Sequence, residues 1–444
     1  MILEPLAVIR EIGALFVRLL TLVGWIGALA VLFVLVKGWR LRTKKRAAVK
    51  KIEWKHLELR MPKDNARSPK AMEQVFAGLH AIYAGEKALV QEWFSFEMLG
   101  LQSGIRFFIR TPKPHRNLVE AALFAQYPDI EIGEAPDYVK RFGAKWGDDE
   151  NEAYDLAGFD LALARDPHFP IRTYPSFMES RRVEEEHVDP IGIFAEAMSN
   201  LKADEQVWIQ LLARPTGDAW KRKGEEAILK FYGRKPEEKK EEKSGVRVVY
   251  DELFSLIKNI FRALAFQSPV WPEEKKDEKP AARVDITEAE RDLAKAIHGK
   301  ISKLGFECAL RCLYLDTKGV EFTRSNVTAI AGAFKQFDSP THNSFKPISS
   351  TAIPSGAKWF QERKIHEKKE ELFGKYAGRG FPDLDTGMKR PVLNTEELAT
   401  LFHPPVAEVA SSSGLRAVEL KKGMPPSNLP FIVEEARGAK QPSG

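Results

Sequence analysis

Apolar positions that alternate or recur at helical spacing divide this chain into a regular order of short elements. Trp54 to Met61 predicts a strand with Leu57, Leu59 and Met61 on one face. Pro69 to Tyr83 predicts a helix, with Met72, Val75, Phe76, Leu79 and Ile82 at helical spacing. Gln91 to Leu99 and Ile105 to Arg110 both alternate, and Ser103-Gly104 supplies the turn between them. Asn117 to Tyr127 returns to helical spacing through Leu118, Ala121, Ala122 and Ala125; Pro128-Asp129 closes it, and Ile130 to Gly133 is a last short strand. The order β-α-β-β-α-β predicts a ferredoxin-like unit, a four-stranded antiparallel sheet with both helices on one face. Phe94, Phe96 and Met98 would pair across the hairpin with Ile105, Phe107 and Ile109 to make the face the helices cover. The opposite face would show Trp93, Ser95 and Glu97 beside Arg106, Phe108 and Arg110.

A second, interrupted copy of this order follows. Its strands are expected at Phe159 to Ala164, Gln206 to Ala213, Cys308 to Asp316 and Ser344 to Ile348. Its helices are expected from the Asp189-Pro190 cap to Leu201 and from Thr323 to Phe337. Between its second and third strands lies a long insertion, 216–305, with two charge-rich spacers, Lys235 to Lys243 and Glu273 to Pro280. They bracket an amphipathic helix over 246–266, whose stripe includes Leu253, Phe254, Ile257, Ile260, Phe261 and Leu264. Three resting places are open to that stripe: its own domain, the inner surface of a membrane, or a partner subunit. Thr287-Glu-Ala-Glu290 is a capping box that starts the next helix. A highly charged helix, Ala357 to Tyr376, precedes a tail rich in Pro and Gly that is broken by a short capped helix, Asn394 to His403.

Ahead of these elements, Leu19 to Val36 is an uninterrupted apolar run, about the 20 residues that span a bilayer core. Lys37, Arg40, Arg42, Lys44, Lys45 and Arg46 follow with no acid among them, a topology signal and a site for anionic lipid. A secretory signal is the competing reading, but Met1 is followed by Ile-Leu-Glu-Pro instead of basic residues. The expected architecture is therefore α+β: an N-terminal transmembrane helix followed by two ferredoxin-like domains, the second with a long helical insertion. The expected divisions are an anchor at 1–51, domains at 52–140 and 151–350, and a charged helix with an extended tail at 351–444. The expected location is the inner membrane, crossed once, with the N-terminus outside and the body cytoplasmic.

Composition changes this picture little. Among 444 residues, 44% apolar and 29% charged content describe a water-soluble body, not a polytopic membrane protein. The net charge of +6 is smaller than the positive charge of the Lys37–Lys51 block alone, so the remaining body is near neutral. Cys308 and Cys312 share a strand face with Phe306, Leu310 and Tyr314, which reads as buried thiols, and no further soft ligands at suitable spacing make a zinc site.

The chain contains no phosphate-binding Gly-x-x-x-x-Gly-Lys-Ser/Thr loop, no Gly-x-Ser-x-Gly elbow and no His-Glu-x-x-His helix. No catalytic residue, cofactor or metal is expected. The candidate binding surface is the outer face of the first sheet: Trp93, Arg106, Phe108 and Arg110 combine aromatic and basic groups as base-stacking strands do. Packing of this face against a neighbour is the competing reading.

The order of landmarks carries a resemblance. Trp93-Phe-Ser-Phe-Glu, Arg106-Phe-Phe-Ile-Arg-Thr-Pro, Leu118 to Ile132, Leu393 to Pro404 and Pro425-Pro-Ser-Asn-Leu-Pro follow the membrane helix and its basic flank. Together they resemble the region ahead of the motor in bacterial type IV secretion and conjugative DNA-transfer ATPases. In that family a RecA-like ATPase follows soon after the Asn-Leu-Pro segment, whereas this sequence ends at Gly444. The resemblance thus implies a non-catalytic, membrane-anchored scaffold that docks a separate ATPase chain. A membrane-tethered, single-stranded nucleic-acid-binding module is the alternative.

Overall fold

The computed structural model describes residues 5–61, 65–86, 88–146, 153–179, 189–234, 286–317, 324–351, 358–381 and 391–406. The amphipathic helix expected over 246–266 and the Pro425–Pro430 segment lie outside the described residues. The chain opens with α1 (Pro5–Lys50). The first β-α-β-β-α-β run is β1 (Trp54–Arg60), α2 (Pro69–Leu79), β2 (Phe94–Leu101), β3 (Gly104–Pro112), α3 (Arg116–Gln126) and β4 (Glu131–Glu134). The second run begins with β5 (Tyr154–Leu163), α4 (Tyr174–Glu179), α5 (Pro190–Ser199) and β6 (Gln206–Pro215). It continues through α6 (Ala219–Phe231), α7 (Glu288–Ile301), β7 (Gly305–Thr317), α8 (Arg324–Ala333) and β8 (Phe345–Ser350). Last come α9 (Lys358–Gly378), β9 (Val392–Asn394) and α10 (Thr395–Leu401).

The class is α+β, but the expectation of two ferredoxin-like domains is corrected. All the strands among the described residues belong to one nine-stranded antiparallel sheet, ordered β4-β1-β3-β2-β6-β7-β5-β8, with β9 paired to β7. The physical reason lies at the seam between the two runs. β2 and β6 would each be the bare edge of a separate sheet, with a row of unpaired backbone groups. They hydrogen-bond to one another instead, antiparallel, from Phe94↔Ala213 through Glu97↔Gln210 to Gly100↔Val207.

The membrane-crossing helix and the single-pass inner-membrane location are corrected as well. Among the described residues no helix is long and apolar enough to cross a membrane. The apolar run does not stand alone: it is the middle of the 46-residue α1, which carries Arg10, Glu11 and Arg18 upstream and continues unbroken through the basic stretch to Lys50.

One face of the sheet carries α2, α3, α5, α8 and α10 over a core that includes Phe76, Phe96, Phe107, Leu123, Phe194, Ile209, Leu310, Phe334 and Phe402. Cys308 and Cys312 are buried in this core, and burial pushes both thiols up. The opposite face is covered too. The turn Tyr138–Arg141, Trp146, and Leu372, Phe373 and Tyr376 of α9 pack on Leu99, Phe108, Leu156, Trp208, Leu313 and Leu315. Gly158 of β5 lets α9 approach, since a Cβ there would collide with Leu372 and with the Cys312 carbonyl.

Candidate functional site

The β2–β6 seam gathers the most concentrated set of buried charges among the described residues, beginning at the central Glu97↔Gln210 pair. Alternation turns Ser95, Glu97 and Gln210 away from the helix-covered core, towards α9. Glu97 is fully buried and accepts hydrogen bonds from Ser95 Oγ (2.5 Å), Tyr138 Oη (2.8 Å), Gln210 Nε2 (3.3 Å), and Arg379 Nε and Nη2 (2.5 and 3.1 Å). Burial alone would raise this carboxyl; the charge and hydrogen bonds of Arg379, aided by His56 and Ser95, overcome it and hold the group at about 2.

Arg379 also donates to both oxygens of Asp137, at 2.9 and 2.8 Å. A planar guanidinium suits this double fork, and lysine would not. Its backbone sits in the left-handed region, φ 46°, just past the end of α9, a position that ordinarily favours glycine. Its carbonyl accepts from Trp93 Nε1 at 2.8 Å. Because the ionised Glu97 takes the Tyr138 proton, the 2.7 Å contact between Tyr138 and Tyr376 is donated by Tyr376.

Gln210 joins this cluster to a second one. Its Oε1 accepts from Arg311 Nη1 at 3.1 Å, and its Nε2 also donates to the Tyr376 carbonyl at 3.1 Å. Arg311 reaches Asp160 (3.2 Å) and the carbonyls of Lys375 (3.0 Å) and Gly380 (2.8 Å). The end of α9 is thus bolted to strands from both halves of the sheet.

The helix-covered side of the seam has a matching fastening. Phe402, just after α10, packs on Phe96 at 5.2 Å and Phe107 at 5.8 Å. Glu397 closes the α10 capping box with Asn394, accepts from the Ile171 backbone N–H at 2.9 Å, and pairs with Lys300 at 3.0 Å, both side chains fully buried. Burial drives each of the pair towards its neutral form, Lys300 down and Glu397 up, against their mutual attraction. At the far end His403 contacts Asp189 at 2.7 Å and the Ala399 carbonyl at 2.7 Å. Burial works against the Asp189 carboxylate, but His403 and the backbone N–H groups of Val406 and Ile191 hold it below its ordinary value.

The proposed nucleic-acid face is placed differently from an open platform. Trp93 and Phe108 are buried. His56 stacks on Phe108 at 4.9 Å, and Tyr138 covers it at 5.4 Å. Arg106 Nε donates to Glu58 at 2.7 Å, and the Arg110 guanidinium lies 4.4 Å from the Trp54 ring centroid. Phe108→Ala is therefore expected to lower stability by about 3–5 kcal/mol through an unfilled cavity. Urea unfolding would measure this; a variant of unchanged stability that lost affinity for single-stranded DNA would restore the open-face reading. The basic residues Lys37, Arg40, Arg42, Lys44 and Arg46 are exposed and Lys45 is half-buried, all on α1. No group of three or more His, Cys, Asp or Glu side chains placed to hold a metal occurs among the described residues.

Arg379, Asp137 and the Lys300–Glu397 pair were not among the residues expected to matter. The available signal was Glu97 itself, an acid in the middle of an apolar strand pattern, which demands a buried cation.

A family model described as a domain of unknown function (DUF8128) matches residues 40–413. This span takes in the whole sheet and both fastenings. No curated protein matches the chain.

Proposed function

We propose that this chain, which belongs to the DUF8128 family, is a non-catalytic scaffold that docks a separate ATPase of the conjugation or type IV secretion kind. The observation that supports this reading is the convergence of stretches that resemble the pre-motor region of those ATPases. Phe94–Glu97 and Arg106–Pro112 lie on adjacent strands, and Phe402 from the Leu393–Pro404 stretch packs on both. Segments far apart in sequence therefore share one packed core, as a rigid docking body requires. The charged side chains at the seam serve this rigidity: each is engaged by a neighbour, which positions chain segments.

Mild crosslinking of the tagged full chain in its native cells, followed by affinity purification, tests the proposal. The expected result is recovery of a second chain that carries a phosphate-binding loop and hydrolyses ATP. Recovery of no such chain, or ATP hydrolysis by the purified protein alone, would overturn it.

A further inference from the structure

The helix α1 leaves the body in an unusual way. Its last turn is seated: Val49, with Ile52 just beyond, packs with Trp54, Val90 and Phe381 against the cluster of Trp93, Leu212 and Ala309. Lys51 and Ile52 N–H groups close the helix end on the Ala48 and Val49 carbonyls. From there outward most of the described side chains are exposed, Lys45 and Ala48 being half-buried. Five consecutive residues, Leu32 to Val36, are all exposed, which covers more than one helical turn, so none of the described body shields α1 there. Trp25, Phe33 and Trp39 are 71%, 68% and 65% exposed. Isolated exposed apolar side chains need no explanation, but a contiguous surface of this kind marks an interaction site.

Charge identifies the occupant. No acidic residue lies between Lys37 and Lys50, and Lys37, Arg40, Arg42, Lys44, Arg46 and Lys50 are exposed. A second copy packed alongside would bring two such stretches together, which like-charge repulsion opposes. Nucleic acid would satisfy the cations but offers nothing to the aliphatic Leu29, Leu32, Val34 and Leu35. An anionic lipid surface satisfies both: phosphate and carboxylate headgroups for the basic stretch, and the headgroup–acyl boundary for the tryptophans and aliphatic groups.

We propose that α1 binds the surface of anionic lipid, with Trp25, Leu29, Phe33 and Trp39 entering one leaflet and Lys37 to Lys50 on its headgroups. The seat at Val49 and Ile52 then holds the sheet within about 20 Å of that surface, at roughly 1.5 Å per helical residue. The inference is independent of the docking function: lipid binding could hold with no ATPase partner, and the reverse.

The test is co-sedimentation of the purified full chain with vesicles of phosphatidylcholine alone and of phosphatidylcholine with phosphatidylserine. Affinity for the phosphatidylserine vesicles is expected to fall steeply with added salt. In the Lys37→Glu/Arg40→Glu/Lys44→Glu variant it should drop about a hundredfold or more. Brominated acyl chains should quench tryptophan emission in the parent and less in Trp39→Phe. Equal binding to neutral vesicles, absence of binding to either, or an unchanged affinity in the charge-reversed variant would overturn the proposal. So would concentration-dependent self-association of α1 that excludes the vesicles, or displacement from them by equimolar single-stranded DNA. These substitutions are on exposed positions, so an unaltered urea unfolding curve confirms that the body is intact.

Discussion

Glu97→Gln will lower the stability of the folded body by about 3–5 kcal/mol, the usual consequence of removing one partner of a buried ion pair. The substitution preserves shape, but its one amide oxygen can accept from Ser95 or from Tyr138 and not from both, since these donate to different carboxylate oxygens. What it removes is the negative charge on which the Arg379 guanidinium rests, at 2.5 and 3.1 Å. Arg379 keeps Asp137, but that carboxylate lies at the margin of the site and Arg379 itself stays buried. A companion variant, Glu97→Gln/Arg379→Met, should recover part of the loss, because a buried pair replaced whole by groups of similar volume is often tolerated. If the double variant were as unstable as the sum of the two singles, the pairing argument would fail. Arg379→Gly separates the backbone from the side chain: it relieves the left-handed conformation yet should still destabilise, since the fork to Glu97 and Asp137 is gone.

The same carboxylate sets an acid limit. Its folded value is about 2 against an ordinary 4.5. The folded state binds this proton less tightly than the unfolded state does. The stabilisation is therefore complete above about pH 4.5 and is lost as pH falls towards 2. A shift of this size corresponds to about 3 kcal/mol, and full burial leaves little solvent to screen it. Urea unfolding at a series of pH values should show the parent losing its advantage over Glu97→Gln across that window. A constant gap between the two proteins would mean that Glu97 titrates at the same pH folded and unfolded.

Much of the element order could be read from alternation and helical spacing, because those patterns record which side of a local element is buried. β1 at Trp54–Arg60 and β6 at Gln206–Pro215 fall where Leu57 and Leu59, and Val207, Ile209 and Leu211, place them. Alternation also assigned Glu97, Arg106 and Phe108 to one face correctly, but it could not say what lies over that face. The cover comes from α9 and from Arg379, 282 positions from Glu97, and no local pattern encodes such a distance. The charged composition of α9 suggested a solvated helix. Among the described residues of α9, Leu372, Phe373 and Tyr376 near its end are the buried apolar ones, with Ala377 beside them, too few to dominate its pattern. The fusion of the two runs into one sheet was hidden for a related reason. A strand's side chains show which faces are buried, whereas edge pairing is made by backbone groups that every residue carries. The long apolar run in α1, read together with its basic flank as a membrane crossing, misled in the opposite direction: among the described residues no helix is long and apolar enough to cross a membrane.

A chain ended after Thr351 should lose cooperative folding altogether, although its sheet would keep eight of its strands. The removed segments bury Leu372, Phe373, Tyr376, Leu393, Leu398, Leu401 and Phe402. At about 1.5–3 kcal/mol for each fully buried apolar side chain, their loss reaches the whole net stability of a domain, about 5–15 kcal/mol. Charge compounds the loss. Without Arg379, Glu97 loses its buried counter-ion; without Glu397, so does Lys300; without His403, so does Asp189. A chain ended after Val406 retains all of these contacts and serves as the control. The measurement is urea unfolding followed by tryptophan fluorescence, with Trp208 of the seam, buried beside Tyr376 at 5.4 Å, as a built-in reporter. A sharp transition in the shorter chain would show that the β2–β6 seam holds the two halves without help. The expected broad, non-cooperative curve would instead mean that the fold is completed only when the C-terminal segments close on both faces of that seam.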